Sequence, residues 1–258
     1  MSGRPELLQY AEEPEIANAD EVRQYRKHHL AASFRAFARL RYDTGPGGHA
    51  AVRDPEHPSW FWTNPFGLPF EMMRASDLML IDDQGNLVEG AGVVNRAAFA
   101  IHAGIHDARP DVIASVHLHG VAGTAFSALG EPLLPINQDA CAFYESHSVY
   151  TGFDGPALEE ADGQRMAKVL GDGKALILQN HGLLTAGTSI DEAAFWMIRM
   201  QTCCEMQLLA ERTGRPLRII PPDLARLTSQ VVGRSRAGWF GFQTFYQRIA
   251  HKEPDTFL

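Results

Sequence analysis

The sequence is poor in every feature that would place it outside the ordinary globular class. Cysteine is scarce. Cys141, Cys203 and Cys204 are an odd, badly spaced set among 258 residues, which excludes a disulfide-stapled secreted scaffold and points to a reducing compartment. Positive charge is in deficit, with 23 Lys+Arg against 31 Asp+Glu and a formal net charge of -8. Nucleic acid and anionic membranes are held by a positive field, so neither is an expected partner. No apolar run approaches the ~20 residues of a spanning helix. The opening MSGRPELLQYAEEPE carries no signal-peptide pattern, and the expected location is the cytoplasm. Repeats, low-complexity tracts and a Pro/Gly/Ser linker are missing as well. Gly45-Pro46-Gly47-Gly48 lacks the Lys and flanking strand of a P-loop. A composition 45% hydrophobic and 21% charged then predicts a single domain over residues 19–258, preceded by an N-terminal arm at 1–18.

Periodicity predicts the elements that matter for function. A helix is expected from Asp20 as N-cap, with Leu30, Phe34, Phe37 and Arg41 at helical spacing, ended by the Gly-rich run to Gly48. Leu78–Ile81 reads as a strand closed by a hairpin-like turn at Asp82–Asn86. Asn95 caps a helix that runs to Ala108, where Pro110 follows. Val112–His119 and Ala175–Asn180 read as buried strands, and a small-residue helix spans Ala122–Leu129. Ser189 and Glu192 form an S-x-x-E capping box ahead of a long helix that ends at Gly214. Strands and helices are interspersed without a strict βαβα rhythm, an order that suits a three-layer α/β or α+β domain on a largely antiparallel sheet.

Three of the 11 histidines carry the chemistry. His117 and His119 are two apart on one strand, so they share a face with Cα atoms roughly 6.6 Å apart. Two imidazoles at that spacing can converge on one cation at ~2.0–2.1 Å per Zn–N bond. His119 precedes Gly120 and His181 precedes Gly182, so both lie at strand ends where the backbone turns. Neutral imidazoles also suit Fe, Mn, Cu and Ni, and the spacing does not choose among them. His102 and His106, at i and i+4, read as a partly buried helix pair. The stripe Trp60-Phe61-Trp62-Phe66-Phe70 reads as core, with Phe66 and Phe70 suited to an aromatic substrate if they border a site.

The segments HLHGVAGTAFSAL (117–129), ALILQNHGLLTAG (175–187) and RAAFAIHAGIHDARPDV (96–112) resemble those of the class II aldolase/adducin family, in the order that family has them. The resemblance covers roughly Ser33 to Ala210. It implies an α/β fold class, a three-layer α/β/α sandwich around a mainly antiparallel central sheet. It also implies a homotetramer and a divalent metal held by His117, His119 and His181, with zinc first and manganese or iron as alternatives.

Departures from the family pattern define the expected substrate. The position of the aldolases' Glu falls on Ala98, and no carboxylate replaces it on that helix within two turns. The phosphate-binding stretches are replaced by Gly48-His49-Ala50-Ala51, Asn64-Pro65-Phe66-Gly67 and Val94-Asn95. These losses of hydroxyl donors argue against a phosphorylated substrate. His49, Asn64 and Gly67 are therefore candidate substrate contacts. Arg53, Arg74 and Arg96 in or beside these stretches can bind a carboxylate bidentately. The proton-donating Tyr that the aldolases take from a neighbouring subunit falls near Gln138-Asp139, where there is none. Gln138, Asp139, Tyr144 and His147 are the candidates to replace it, with Asp139, Tyr144 and His147 as the catalytic ones. The expected function is a metal-dependent carbon–carbon lyase, by retro-aldol cleavage or decarboxylation, of a small carboxylic acid, with the metal stabilising an enolate. The alternatives are a non-haem iron oxygenase on the same histidines and a non-catalytic adducin-like scaffold.

Overall fold

A computed structural model describes residues 11–152, 155 and 160–258. Most of the predicted N-terminal arm, residues 1–10, lies outside them; residues 11–18 have no regular secondary structure. The described residues form seven α-helices and one eight-stranded mixed sheet, the α/β fold that the sequence predicts.

The strands are β1 (His49–Arg53), β2 (Phe61–Thr63), β3 (Met79–Ile81), β4 (Leu87–Glu89), β5 (Ala114–Leu118), β6 (His147–Tyr150), β7 (Ala175–Leu178) and β8 (Gly182–Gly187). Their order is β4-β3-β2-β1-β5-β8-β7-β6, and every pairing is antiparallel except β6 with β7. The strand predicted over Ala175–Asn180 is thus the first arm of a hairpin, with His181 in its turn.

The helices are α1 (Ala19–Arg39), α2 (Arg96–Ala108), α3 (Val121–Ser127), α4 (Glu160–Leu170), α5 (Ile190–Glu211), α6 (Pro222–Val232) and α7 (Ser235–Lys252). Strand alternation sorts the sheet into two faces. Ala50, Val52, Val116, Leu118, Ile177 and Leu183 pack with Phe34 of α1, Phe126 of α3, Trp196 of α5 and Phe242 of α7. Leu176, Leu178, Leu184 and Ala186 pack instead with Ile101 and Ile105 of α2 and Met166 and Leu170 of α4. Both faces are covered, giving three layers. Each fully buried apolar side chain such as Phe34 or Phe126 contributes about 1.5–3 kcal/mol of transfer free energy.

Two helix starts differ from the reading of the sequence. Asn18, not Asp20, caps α1: its side-chain oxygen accepts from the backbone N–H of Asp20 and Glu21 at 2.8 and 3.2 Å. Asp20 already lies in the first helical turn, whereas Asn18 has the extended backbone of a cap residue. Ser189 does cap α5, yet Glu192 closes on the N–H and hydroxyl of Thr188 rather than on Ser189, because its other oxygen takes the buried Trp196 indole N–H at 2.9 Å. Asn95 caps α2 as expected. The aromatic segment 239–246 lies in α7, where Trp239 and Phe242 are buried. Cys141, Cys203 and Cys204 are buried free thiols.

Candidate active site

Three passages of the chain meet at one end of the sheet: the start of β1, the end of β5 and the start of β8. Register brings them together, since His49 pairs His117 across β1–β5 and Leu118 pairs Leu183 across β5–β8. His119 follows the end of β5. His181 sits in the β7–β8 turn, closed by its own N–H to Leu178 O at 2.9 Å. Asn180 in that turn has φ 59°, a left-handed conformation that Asn tolerates better than most residues. Gly182 is required by close approach: a Cβ there would lie 2.6 Å from Leu118 O and 3.0 Å from the His119 ring.

The ligating nitrogens of His117, His119 and His181 all lie within 4.8 Å of one another. His117 is buried and the other two are half-buried. Nδ1–H of His117 donates to Leu183 O at 2.9 Å, which leaves its Nε2 with a lone pair. That Nε2 is 2.8 Å from Nε2 of His119, so a single proton between them satisfies both in the absence of a cation. Replacing that proton by a cation converts both nitrogens to ligands. Burial holds all three imidazoles in the neutral form that ligation needs, with His181 lowered to about 4. The donor set therefore fits a divalent metal, and the carbonyl that orients His117 is the outer-sphere contact such ligands use.

The three histidines border a cavity of about 460 Å³, which is also lined by Thr44, His49, Asn95, Ala97, Ile101, Thr124 and Asn180 among others. No Asp, Glu, Lys or Arg is among the described lining residues. Thr44 holds His119 by donating its hydroxyl to the His119 carbonyl at 2.8 Å. The Thr124 hydroxyl is buried and has no hydrogen-bond partner among the described residues, which a bound polar group would supply. On α2 the wall is Ala97 and Ile101; Ala98 is buried beside them.

The other predicted site residues scatter. His49 borders the cavity. Arg96 is exposed at the start of α2, between the lining residues Asn95 and Ala97. Arg53 does not reach the cavity: its guanidinium donates to the carbonyls of Val112, Pro58, His106 and Arg109, tying β1 to the end of α2. Arg74 lies 3.9 Å from Asp255 on the surface. Asn64 is buried against the backbone of Gly48 and Ala50, bracing β1. Gly67 is exposed, with φ 90°, and is a turn residue. Phe70 belongs to the core and Phe66 is exposed; neither lines the cavity.

His147 is not available for catalysis within this chain. Its Nδ1–H donates to Phe143 O at 2.7 Å and its Nε2 accepts from Leu133 N–H at 3.0 Å. Asp139 pairs with Arg199, and both line a separate depression of about 220 Å³ with Gln138, Phe195 and Phe240. Tyr144 is half-buried under the Arg226 guanidinium, 5.9 Å from the ring centroid.

Sequence reasoning missed a buried polar chain behind the site. His102 and His106 are 0% and 4% exposed, not a partly buried pair. His49 Nδ1 meets His102 Nε2 at 2.8 Å, and both His102 Nδ1 and His106 Nε2 meet Ser115 Oγ, at 2.6 and 3.0 Å. Two signals were present: histidines at i and i+4 on α2, and a Ser two residues before His117 on the same strand face.

This fold is that of a known family. The profile of the Class II Aldolase and Adducin N-terminal domain matches residues 28–208, and the chain belongs to that family. It is 46% identical over 237 residues to "Decarboxylase NovR" of Streptomyces niveus, covering 91% of this chain and 87% of that one. It is 45% identical to a "4-hydroxy-3-prenylphenylpyruvate oxygenase/4-hydroxy-3-prenylbenzoate synthase" of Streptomyces roseochromogenus subsp. oscitans, over 91% and 85% of the two chains. Among solved structures, an L-fuculose 1-phosphate aldolase from Glaciozyma antarctica PI12 superposes with a TM-score of 0.89 at 39% identity, covering 95% of this chain and 96% of that one. The protein is an enzyme of this metal-dependent family.

Proposed function

We propose that the protein is a divalent-metal-dependent decarboxylase of a small, non-phosphorylated carboxylic acid, with His117, His119 and His181 as the metal ligands. The observation that carries this reading is the cavity itself: three neutral imidazoles face a space whose described lining offers no carboxylate and no cationic side chain. A divalent metal there supplies a Lewis acid for negative charge that builds on an oxygen beside the breaking bond. Loss of CO₂ would leave the C–C electron pair on the substrate, and a proton from water would then replace the carboxylate. No hydroxyl has to be deprotonated first, so the absence of a carboxylate near Ala98 costs less here than in retro-aldol cleavage. His49, Thr124 and Asn180 supply neutral polar contacts inside the cavity, and Arg96, exposed between the lining residues Asn95 and Ala97, is the arginine assigned to the acid. The name of the Streptomyces niveus relative supports the decarboxylase reading. Zinc as the metal and a homotetramer, as the family resemblance implies, and a cytoplasmic location, as the cysteine usage suggests, complete it. Gln138, Asp139 and Tyr144 enter only from a neighbouring subunit.

An oxygenase on the same three histidines is the second reading, favoured by the name of the Streptomyces roseochromogenus relative. Three-histidine coordination leaves open positions for O₂, although the usual iron triad includes a carboxylate.

The test is metal content after anaerobic purification without added metal, followed by CO₂ release and O₂ uptake on aromatic and 2-oxo acids. About one transition metal per chain is expected in the wild type. His117→Ala should lose it, with turnover down more than ~100-fold, beyond the loss typical of outer-sphere partners. CO₂ release without O₂ uptake establishes the lyase; O₂ consumption by the iron-loaded protein replaces it with the second reading. A wild-type protein that neither retains nor takes up metal overturns both.

A further inference from the structure

The buried chain behind the cavity restricts where protons can sit. Ser115 Oγ bridges His102 Nδ1 and His106 Nε2, and His102 Nε2 meets His49 Nδ1. The remaining nitrogen of His106, Nδ1, is buried without a partner among the described residues. Burial keeps His102 and His106 neutral, the latter lowered to about 3, so each carries one N–H. Ser115 has one O–H, and three arrangements exhaust its choices.

If Ser115 donates to His106, then His102 must donate from Nδ1 to Ser115, and His106 carries its proton on the orphaned Nδ1. That arrangement buries an unpaired N–H. If Ser115 donates to neither imidazole, its hydroxyl proton is buried without an acceptor among the described residues. If Ser115 donates to His102 Nδ1, then His106 Nε2–H donates to Ser115 and His102 Nε2–H donates to His49 Nδ1. Only a lone pair on His106 Nδ1 is then unsatisfied. Orphaned buried donors are rarer and costlier than under-used acceptors, so the third arrangement is selected.

Its consequence reaches the cavity. His49 accepts at Nδ1, so its own proton sits on Nε2, which no hydrogen bond from a described residue occupies and which belongs to a residue lining the cavity. We propose that His49 is a fixed Nε2–H donor to an anionic oxygen of the bound acid, and that His102, Ser115 and His106 are positioning residues that set this tautomer. The chain cannot deliver that proton onward. Its loss from His49 would shift each proton one place along and leave His106 stripped of its own, with nothing in contact to replace it. His49 is therefore a hydrogen-bond donor, in the manner of an oxyanion hole, rather than a general acid. The identity of the oxygen rests on the decarboxylase reading; the tautomer does not.

The experiment is long-range ¹H–¹⁵N correlation of the histidine rings in the full-length chain, as purified and after loading with diamagnetic zinc(II). His49 is expected to be protonated at Nε2 and unprotonated at Nδ1. Ser115→Ala, which breaks the chain, should bring both tautomers into population. Protonation of wild-type His49 at Nδ1 overturns the proposal whatever the variant does. Calorimetric binding of benzoate to the zinc-loaded protein tests the second half, with His49→Phe expected to weaken it about tenfold. A correct tautomer with unchanged benzoate affinity in His49→Phe overturns the donor role and leaves the decarboxylase reading intact. A correct tautomer in a wild type that does not bind benzoate overturns the carboxylate reading and leaves the positioning chain standing.

Discussion

Two groups of histidine lie against the same stretch of β5, and they are made different by what surrounds them. At the strand end, His117, His119 and His181 face a cavity, and a carbonyl fixes the proton of His117 away from its partners. Behind them, His49, His102 and His106 are 3%, 0% and 4% exposed and are threaded on one another and on Ser115. His147 is an intermediate case, a half-buried histidine with both nitrogens committed to backbone. The lesson is that residue type supplies an imidazole, while the partner of the second nitrogen decides whether the first is a ligand, a donor or a structural tie.

Acid should act on both groups, because burial lowers the pKa values of His117, His119 and His181 as well, and the buried chain is the part a variant can isolate. The folded-state pKa values of His102 and His106 are depressed, the latter to about 3. The folded state therefore binds fewer protons than the unfolded chain between that value and about 6.5. The stability contributed by keeping them neutral is present above pH 6.5 and falls as pH drops toward the folded values, by about 1.4 kcal/mol per pH unit for each histidine. Urea midpoints measured from pH 7 to pH 4 should fall accordingly. His106→Phe should flatten the profile, and an unchanged slope in that variant would break the contrast.

Gly182→Ala sharpens the comparison from the cavity side. The new methyl meets the Leu118 carbonyl and the His119 ring, so the β7–β8 turn must move away from β5. A loss of about 1–3 kcal/mol is expected in denaturant melts, together with weaker metal retention in equilibrium dialysis. Stability lost with metal retention unchanged would mean that the close approach serves the hairpin alone.

The smallest effect belongs to His147. Replacement by Ala removes two hydrogen bonds to backbone, at a cost of about 1–2 kcal/mol, while metal content and per-site turnover stay at wild-type level. A large drop in turnover with the metal retained would return His147 to the catalytic group, where the sequence reading had put it.

Much of this architecture was legible from local pattern. The α2 cap at Asn95, the α5 cap at Ser189 and the turn at 82–86 follow from short-range backbone chemistry. The meeting of His117 with His119 follows from strand periodicity, and the N-H-G of residues 180–182 marked a strand end. Arg53 and Asn64 were misread because a polar side chain near a loop motif looks the same in sequence whether it faces ligand or backbone. The bond from His49 to His102 depends on β1 pairing with β5, an antiparallel contact across more than sixty residues of sequence, and no local signal encodes that register.

The sequence by itself determined the alternation that makes two buried faces, the caps that start the helices, and the side chains able to hold a metal or a proton. These depend on neighbours within a turn of helix or two steps of strand. Tertiary structure alone decided which nitrogens stay open, which arginines are tied to carbonyls and which way the buried protons run. Those outcomes depend on groups distant in sequence satisfying one another once water has been excluded, and a buried donor must take whichever partner the packing brings to it.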